Sequence, residues 1–154
     1  PDFVRRVAQA LKREALRPDL LELELTESIL VQGVDEAMQR LQALSKLGVS
    51  LAIDDFGVGY SSLAYLKKFP IHKLKIDRSF VMGLPGNESD LAIVTAIINM
   101  GHALKLQVIA EGVETVAQRD LLEQLGCDQY QGFLHSQGLP VPAFEQMLLA
   151  DKNS

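Results

Sequence analysis

Four short stretches of this chain alternate apolar and polar residues with a period of two, and each polar series includes a carboxylate. In "LLELELTE", Leu21, Leu23 and Leu25 oppose Glu22 and Glu24; in "VSLAID", Val49, Leu51 and Ile53 oppose Ser50, Ala52 and Asp54. In "HKLKID", Leu74 and Ile76 oppose Lys73, Lys75 and Asp77, and in "LQVIAEG", Leu106, Val108 and Ala110 oppose Gln107, Ile109 and Glu111. Successive strand residues point to opposite faces, so each stretch reads as a strand with one apolar face and one face that grows polar toward its carboxyl end. Helical patterns separate the strands, which implies parallel pairing through right-handed crossovers. A doubly wound sheet carries helices on both faces and needs both to be apolar. A barrel needs only its outer face apolar, and its inner mouth can carry charge. The parity selects an α/β fold of the (β/α)8 TIM-barrel type.

The remaining elements fit that choice. "DFVRRVAQALKREAL" sets Phe3, Val7, Ala10, Leu11 and Leu16 roughly on one helical face and stops before Pro18. Helices follow over "DEAMQRLQALSKLG", a shorter "SSLAYLKKF", "SDLAIVTAIINMGHALK" and "VAQRDLLEQLG"; a short strand "QYQGFL" and a helix "PAFEQMLLA" close the order. A full barrel of this kind takes about 250 residues. Five strands in 154 residues therefore read as an incomplete barrel with about five of its eight β/α units. Residues 1–154 are expected to be the C-terminal part of a single barrel domain.

Composition removes several classes of function. The formal net charge is −5 and no stretch gathers Lys and Arg densely, so no nucleic-acid partner is expected. No apolar run reaches the length of a membrane span, and no direct membrane contact is expected. Cys127 is the one cysteine, which excludes a disulfide framework and a cysteine metal site. It reads as a reduced, half-buried thiol of a cytoplasmic protein, either free or the cytoplasmic part of a larger membrane-anchored one. His72, His102 and His135 have no metal-ligand spacing.

The strand ends bring Glu24, Asp54 with Asp55, Lys75 or Asp77, Glu111 and Gln131 to one rim. A single carboxylate there is explained by a helix cap or a loop anchor. Several in register are not, because like charges in a confined site repel unless their pKa values rise or cations are recruited. All-oxygen ligands suit Mg²⁺ or Mn²⁺, and two such ions would neutralise the cluster. Strand parity would part Asp54 from Asp55, but Gly57 lets the chain turn just after them, so both are expected at the rim. Lys75 is either a counter-ion or a group that steadies a water and phosphate charge. Lys73 and Glu22 lie one layer deeper by parity and are expected to form an internal ion pair.

"ELTES", "DDFGVGYSSL", "LKIDRSF", "VIAEGVET" and "QGFLHSQGLP", in this order and spacing, resemble the EAL-domain family over the whole chain. Members of that family are bacterial cyclic di-GMP phosphodiesterases built on a (β/α)8 barrel. The resemblance implies metal ligation by Glu24, Asp54, Asp55 and Glu111, with Asp54 bridging two divalent cations. It implies a catalytic Lys75 near the attacking water and Glu111 as a metal-site or general-base carboxylate. Glu27 would brace the loop after the Asp pair, Glu114 would support the site, and Asp77 and Gln131 would line it. The segment from Phe56 to Ser62 would couple dimer contacts to metal binding. The implied reaction is hydrolysis of cyclic di-GMP to linear pGpG.

Val58 stands where the family commonly has Thr, and "SQGLP" replaces a Ser-basic-Pro run; neither touches the ligand set. The family's Glu-Ala-Leu motif, a substrate-binding Arg and an Asn ligand fall outside these residues, so the 154-residue chain alone is expected to be inactive. The open edges of the "LELEL" and "QYQGF" strands invite a homodimer or another association. Sensory or cyclase domains are expected upstream. Two other functions stay open: a receptor that binds cyclic di-GMP without cleaving it, and a metal-dependent barrel enzyme of enolate chemistry with Lys75 as base.

Overall fold

The computed structural model describes residues 2–26, 34–59 and 66–151. Helix α1 (Asp2–Arg13) leads through a 3-10 turn at Pro18–Leu20 into β1 (Glu22–Thr26). Then follow α2 (Val34–Lys46), β2 (Ser50–Phe56), β3 (Lys73–Ile76) and a short α3 (Arg78–Met82). Helix α4 (Glu88–Ala103), β4 (Gln107–Ala110), α5 (Val116–Gln124), β5 (Gln129–Tyr130) and α6 (Val141–Asp151) complete the order. Side-chain caps open two of the helices. Asn87 accepts from the amides of Ser89 and Asp90 to open α4, and Thr115 with Gln118 forms a capping box for α5.

All five strands pair in parallel and lie in chain order, β1-β2-β3-β4-β5. An uninterrupted order with helical crossovers is that of a barrel wall and differs from the reversed order of a doubly wound sheet. The fold is α/β, an incomplete TIM-type barrel, with β1 and β5 at the two edges of the sheet.

The alternation read from the sequence sorts the faces. Leu51, Ile53, Leu74, Ile76 and Val108 are fully buried on the outer face, where Leu41, Leu44, Val94, Ile98 and Leu122 join the same core. Each such side chain contributes about 1.5–3 kcal/mol when fully buried. The inner face carries the charged series, and its lower layer holds the Lys73–Glu22 ion pair at 2.8 Å, with the Ser50 hydroxyl donating to the same glutamate at 3.1 Å. No helix among the described residues is long and apolar enough to cross a membrane.

Two elements differ from the sequence reading. The strand expected over residues 129–134 shortens to Gln129–Tyr130, because the chain turns at Gly132 against the backbone of Val113. Helix α3 was not anticipated; Asp77 caps it, accepting from the Ser79 amide at 2.9 Å and from the Ser79 hydroxyl. The short helix read over residues 61–69 and the segment ending at Ser62 lie largely or partly outside the described residues.

Candidate active site

The Asp54-Asp55 pair owes its placement to an irregularity in β2. Ile53 sits beside Leu74 and Phe56 beside Ile76, so two residues, Asp54 and Asp55, face the single residue Lys75. That is a β-bulge, which re-aims side chains that strict alternation would send to opposite faces. Asp55 accommodates it with φ +54°, in the left-handed region that Asp tolerates better than most residues. The turn after the pair does use Gly57 (φ +103°), but the register changes before it. The device that brings both carboxylates to the rim is therefore Asp55 itself, a correction to the sequence reading.

Lys75 is the centre of the site. Its side chain is 3% exposed, and its Nζ lies 2.5 Å from Glu24 Oε1, 3.0 Å from Asp54 Oδ1 and 2.6 Å from Glu111 Oε1. Three strands, β1, β2 and β3, and the residue following β4 thus converge on one ammonium. Burial opposes the charge, but hydrogen bonds to Glu111, Glu24 and Asp54 more than offset it, and the pKa of Lys75 is pushed up. This lysine is protonated at any physiological pH.

The carboxylates respond to one another. Repulsion from Asp54 is the main cause of a raised pKa at Asp55, with burial and Asp77 adding to it. Burial raises Glu111, and its hydrogen bond to Lys75 only partly offsets that. One oxygen each from Asp54, Asp55 and Glu111 lie within 4.8 Å of one another. This is a hard, all-oxygen donor set of the kind a divalent cation takes, so the residues fit such an ion. Glu24 stands apart from that trio: it is 47% exposed and its Oε1 is engaged by Lys75.

The supporting residues take these places. Gln131 donates from Nε2 to Glu111 Oε1 at 2.6 Å, and Glu114 pairs with Arg78 at 2.8 Å. A cleft of about 540 Å³ opens beside them, lined by Arg78, Glu111, Glu114, Gln131 and Phe133 among others. Asp77 serves as the α3 cap and as a neighbour of Asp55, and its pKa falls because Ser79 and backbone amides outweigh burial. Glu27 lies outside the described residues. Two residues escaped the sequence reading, Arg78 and Gln118. The T-x-x-Q spacing of Thr115 and Gln118 was a usable signal for the second.

The EAL domain profile matches residues 1–138, and the chain belongs to that family. It is 50% identical over 146 residues to the bifunctional diguanylate cyclase/cyclic di-GMP phosphodiesterase MucR of Pseudomonas aeruginosa, covering 95% of this chain and 21% of that protein. Among solved structures it resembles PaMucR phosphodiesterase in complex with c-di-GMP, with a TM-score of 0.88 and 47% identity, over 92% of this chain and 57% of that one. It also resembles Klebsiella pneumoniae BlrP1 in a manganese/cy-diGMP complex, with a TM-score of 0.80 and 37% identity, over 87% of this chain and 34% of that one. The chain spans about a fifth of the length of the curated relatives it matches.

Proposed function

We propose that the protein carrying this barrel is a cyclic di-GMP phosphodiesterase that opens one phosphodiester bond to give linear pGpG. The observation that carries the proposal is the Lys75 ammonium, fixed among three carboxylates and adjoining the oxygen cluster of Asp54, Asp55 and Glu111. Asp54, Asp55 and Glu111, with Glu24 beside them, would hold two divalent cations, Mg²⁺ or Mn²⁺. When bound, these would lower the pKa of an attacking water and neutralise charge on the phosphate. The manganese/cy-diGMP complex of BlrP1 supports a divalent cation in this role.

Lys75 supplies fixed positive charge to the phosphate as negative charge builds on it, without needing to move. Because its pKa is raised, it is a poor general base, which speaks against enolate chemistry run by this lysine. Glu111, oriented by the Gln131 amide, would serve at the metal site or take the proton of the attacking water. Glu114, Asp77 and Glu27 act in support. The length of the relatives supports sensory or cyclase domains in the same polypeptide. A cytoplasmic site of action follows from the substrate.

The test is pGpG formation by the full-length protein with cyclic di-GMP and Mn²⁺ or Mg²⁺. Turnover that falls at least about 100-fold in Asp54→Asn supports the mechanism. Tight binding of cyclic di-GMP without any pGpG would establish the receptor reading instead, and unchanged turnover in Asp54→Asn would remove the proposed centre.

A further inference from the structure

Gln118 is one of two buried polar side chains on the described chain, 6% exposed, the other being Lys75 at the site centre. Its position at N3 of α5 explains part of its bonding. The Thr115 hydroxyl accepts from the Gln118 amide at 3.2 Å, and Gln118 Oε1 accepts from the Thr115 amide at 3.0 Å. A capping box needs no more than this. Gln118 does more: Oε1 also accepts from the Glu114 amide at 2.9 Å, and Nε2 donates to the Val81 carbonyl in α3 at 3.1 Å. A helix cap has no use for a bond to a residue 37 positions away.

The contact to α3 has a counterpart on the outer side. Arg78, the first residue of α3, lays its stem across Gly112, where a Cβ would stand 2.3 Å from Arg78 Cγ, and its guanidinium reaches Glu114. Gly112 itself needs its bare Cα, since its φ is +68°. The segment from Glu111 to Thr115 is thus fastened to α3 at two points, by Arg78 to Glu114 and by Gln118 to Val81. Its third side meets the Gly132 turn through Val113, whose amide donates to the Gln131 carbonyl at 3.1 Å. Helix α3 begins three residues after Lys75, capped by Asp77. The fastening therefore ties the segment bearing Glu111 to the strand bearing Lys75.

We propose that Gln118 is a positioning residue that holds the Glu111–Glu114 segment, and with it the Glu111 carboxylate, in register with Lys75 by clamping it to α3. The proposal rests on the phosphodiesterase reading for its catalytic consequence and on the hydrogen bonds alone for its structural one. Misplacing a catalytic group by about 1 Å can lower a rate by about 100-fold, whereas substrate contacts elsewhere in the cleft are untouched.

The test uses the full-length protein and three substitutions. Gln118→Met keeps the volume and removes every side-chain hydrogen bond. Gln118→Glu keeps the oxygen that accepts from Glu114 and Thr115 and removes donation to Val81. Leu122→Ala, in the same helix and 1% exposed, destabilises without touching the clamp. Steady-state hydrolysis of cyclic di-GMP and amide hydrogen exchange over residues 111–115 are read for each. The expected result is a kcat lower by about 10–100-fold in Gln118→Met with KM within about twofold. Exchange over 111–115 should accelerate, Gln118→Glu should lower kcat and speed exchange in the same sense because its carboxylate faces the Val81 carbonyl, and Leu122→Ala should retain kcat at a similar loss of melting temperature. If Gln118→Met fails to fold, Gln118→Glu decides the matter by the same two readings. Unchanged kcat and exchange in a folded Gln118 variant would overturn the proposal, as would an equal kcat loss in Leu122→Ala. If the unsubstituted protein hydrolyses no cyclic di-GMP, the phosphodiesterase reading fails by itself, and retained exchange protection in the Gln118 variants then overturns the clamp independently.

Discussion

Replacing Lys75 by Met removes the charge at the centre of the site while nearly preserving the side chain's length. Three carboxylates lose their shared counter-charge at distances of 2.5, 3.0 and 2.6 Å. Breaking a fully buried ion pair costs about 3–5 kcal/mol. Here Glu24 can turn to solvent, whereas Asp54 (23% exposed) and Glu111 (15%) cannot do so freely. The loss should therefore fall at the low end, about 3 kcal/mol at neutral pH. The pH dependence has a definite sign. The raised pKa of Lys75 means that its contribution is complete below the pKa of an unfolded lysine and is lost as pH rises through the folded value. In the variant the repulsion is relieved by protonating carboxylates, Glu111 first because burial already raises it, so the deficit should narrow from pH 7 toward pH 5. Urea unfolding of the complete barrel domain, followed by circular dichroism, reads this directly. With a slope of about 2 kcal/mol per molar, the midpoint should drop by about 1.5 M at pH 7. A shift below about 0.3 M, or one equal at both pH values, would refute the view that Lys75 neutralises this cluster.

Gly112→Ala should destabilise the domain by about 2 kcal/mol, since the added methyl meets the Arg78 stem at a left-handed backbone position. Adding Arg78→Ala should recover part of that loss, so that a double-mutant cycle by thermal unfolding gives a sum smaller than its parts; strict additivity would contradict the contact. Burial pushes the Cys127 thiol up to about 11, and the thiol donates to the Gln129 carbonyl. Its alkylation by iodoacetamide should therefore keep rising beyond about pH 10, where an ordinary cysteine has levelled off; a plateau by about pH 10 would contradict that burial.

Much of the barrel was legible because period-two alternation is a direct image of strand geometry. Leu51 and Ile53 point outward and Asp54 inward for the same reason that they alternate in sequence. The Lys73–Glu22 pair followed from parity alone, and it is present. Glu24 lies level with Ala52 and Lys75 with Ile109, so the acids meet at Lys75 across two-residue offsets, which keep each of them on the face that parity assigns. What the alternation could not carry was its own interruption. Nothing in "IDDF" distinguishes a regular strand from a bulge, because the bulge depends on how β2 pairs with β3 across the sheet. The same limit hid α3, where Asp77 follows the pattern of a rim residue but spends its carboxylate on the Ser79 amide. Strand β5 ended early for a tertiary reason, the approach of Gly132 to Val113, which local sequence does not encode. Gln118 was readable as a cap, but its bond to Val81 exists only once α3 and α5 are packed together.

Manganese binding by the full-length protein tests the central claim most directly, with isothermal titration calorimetry or the loss of the free-ion resonance signal as the readout. The unsubstituted protein should bind Mn²⁺, and Asp54→Asn with Asp55→Asn should weaken that binding by at least about tenfold while the domain stays folded. Equal affinity in the doubly substituted protein would mean that the two aspartates set side by side by the β2 bulge do not hold the cation.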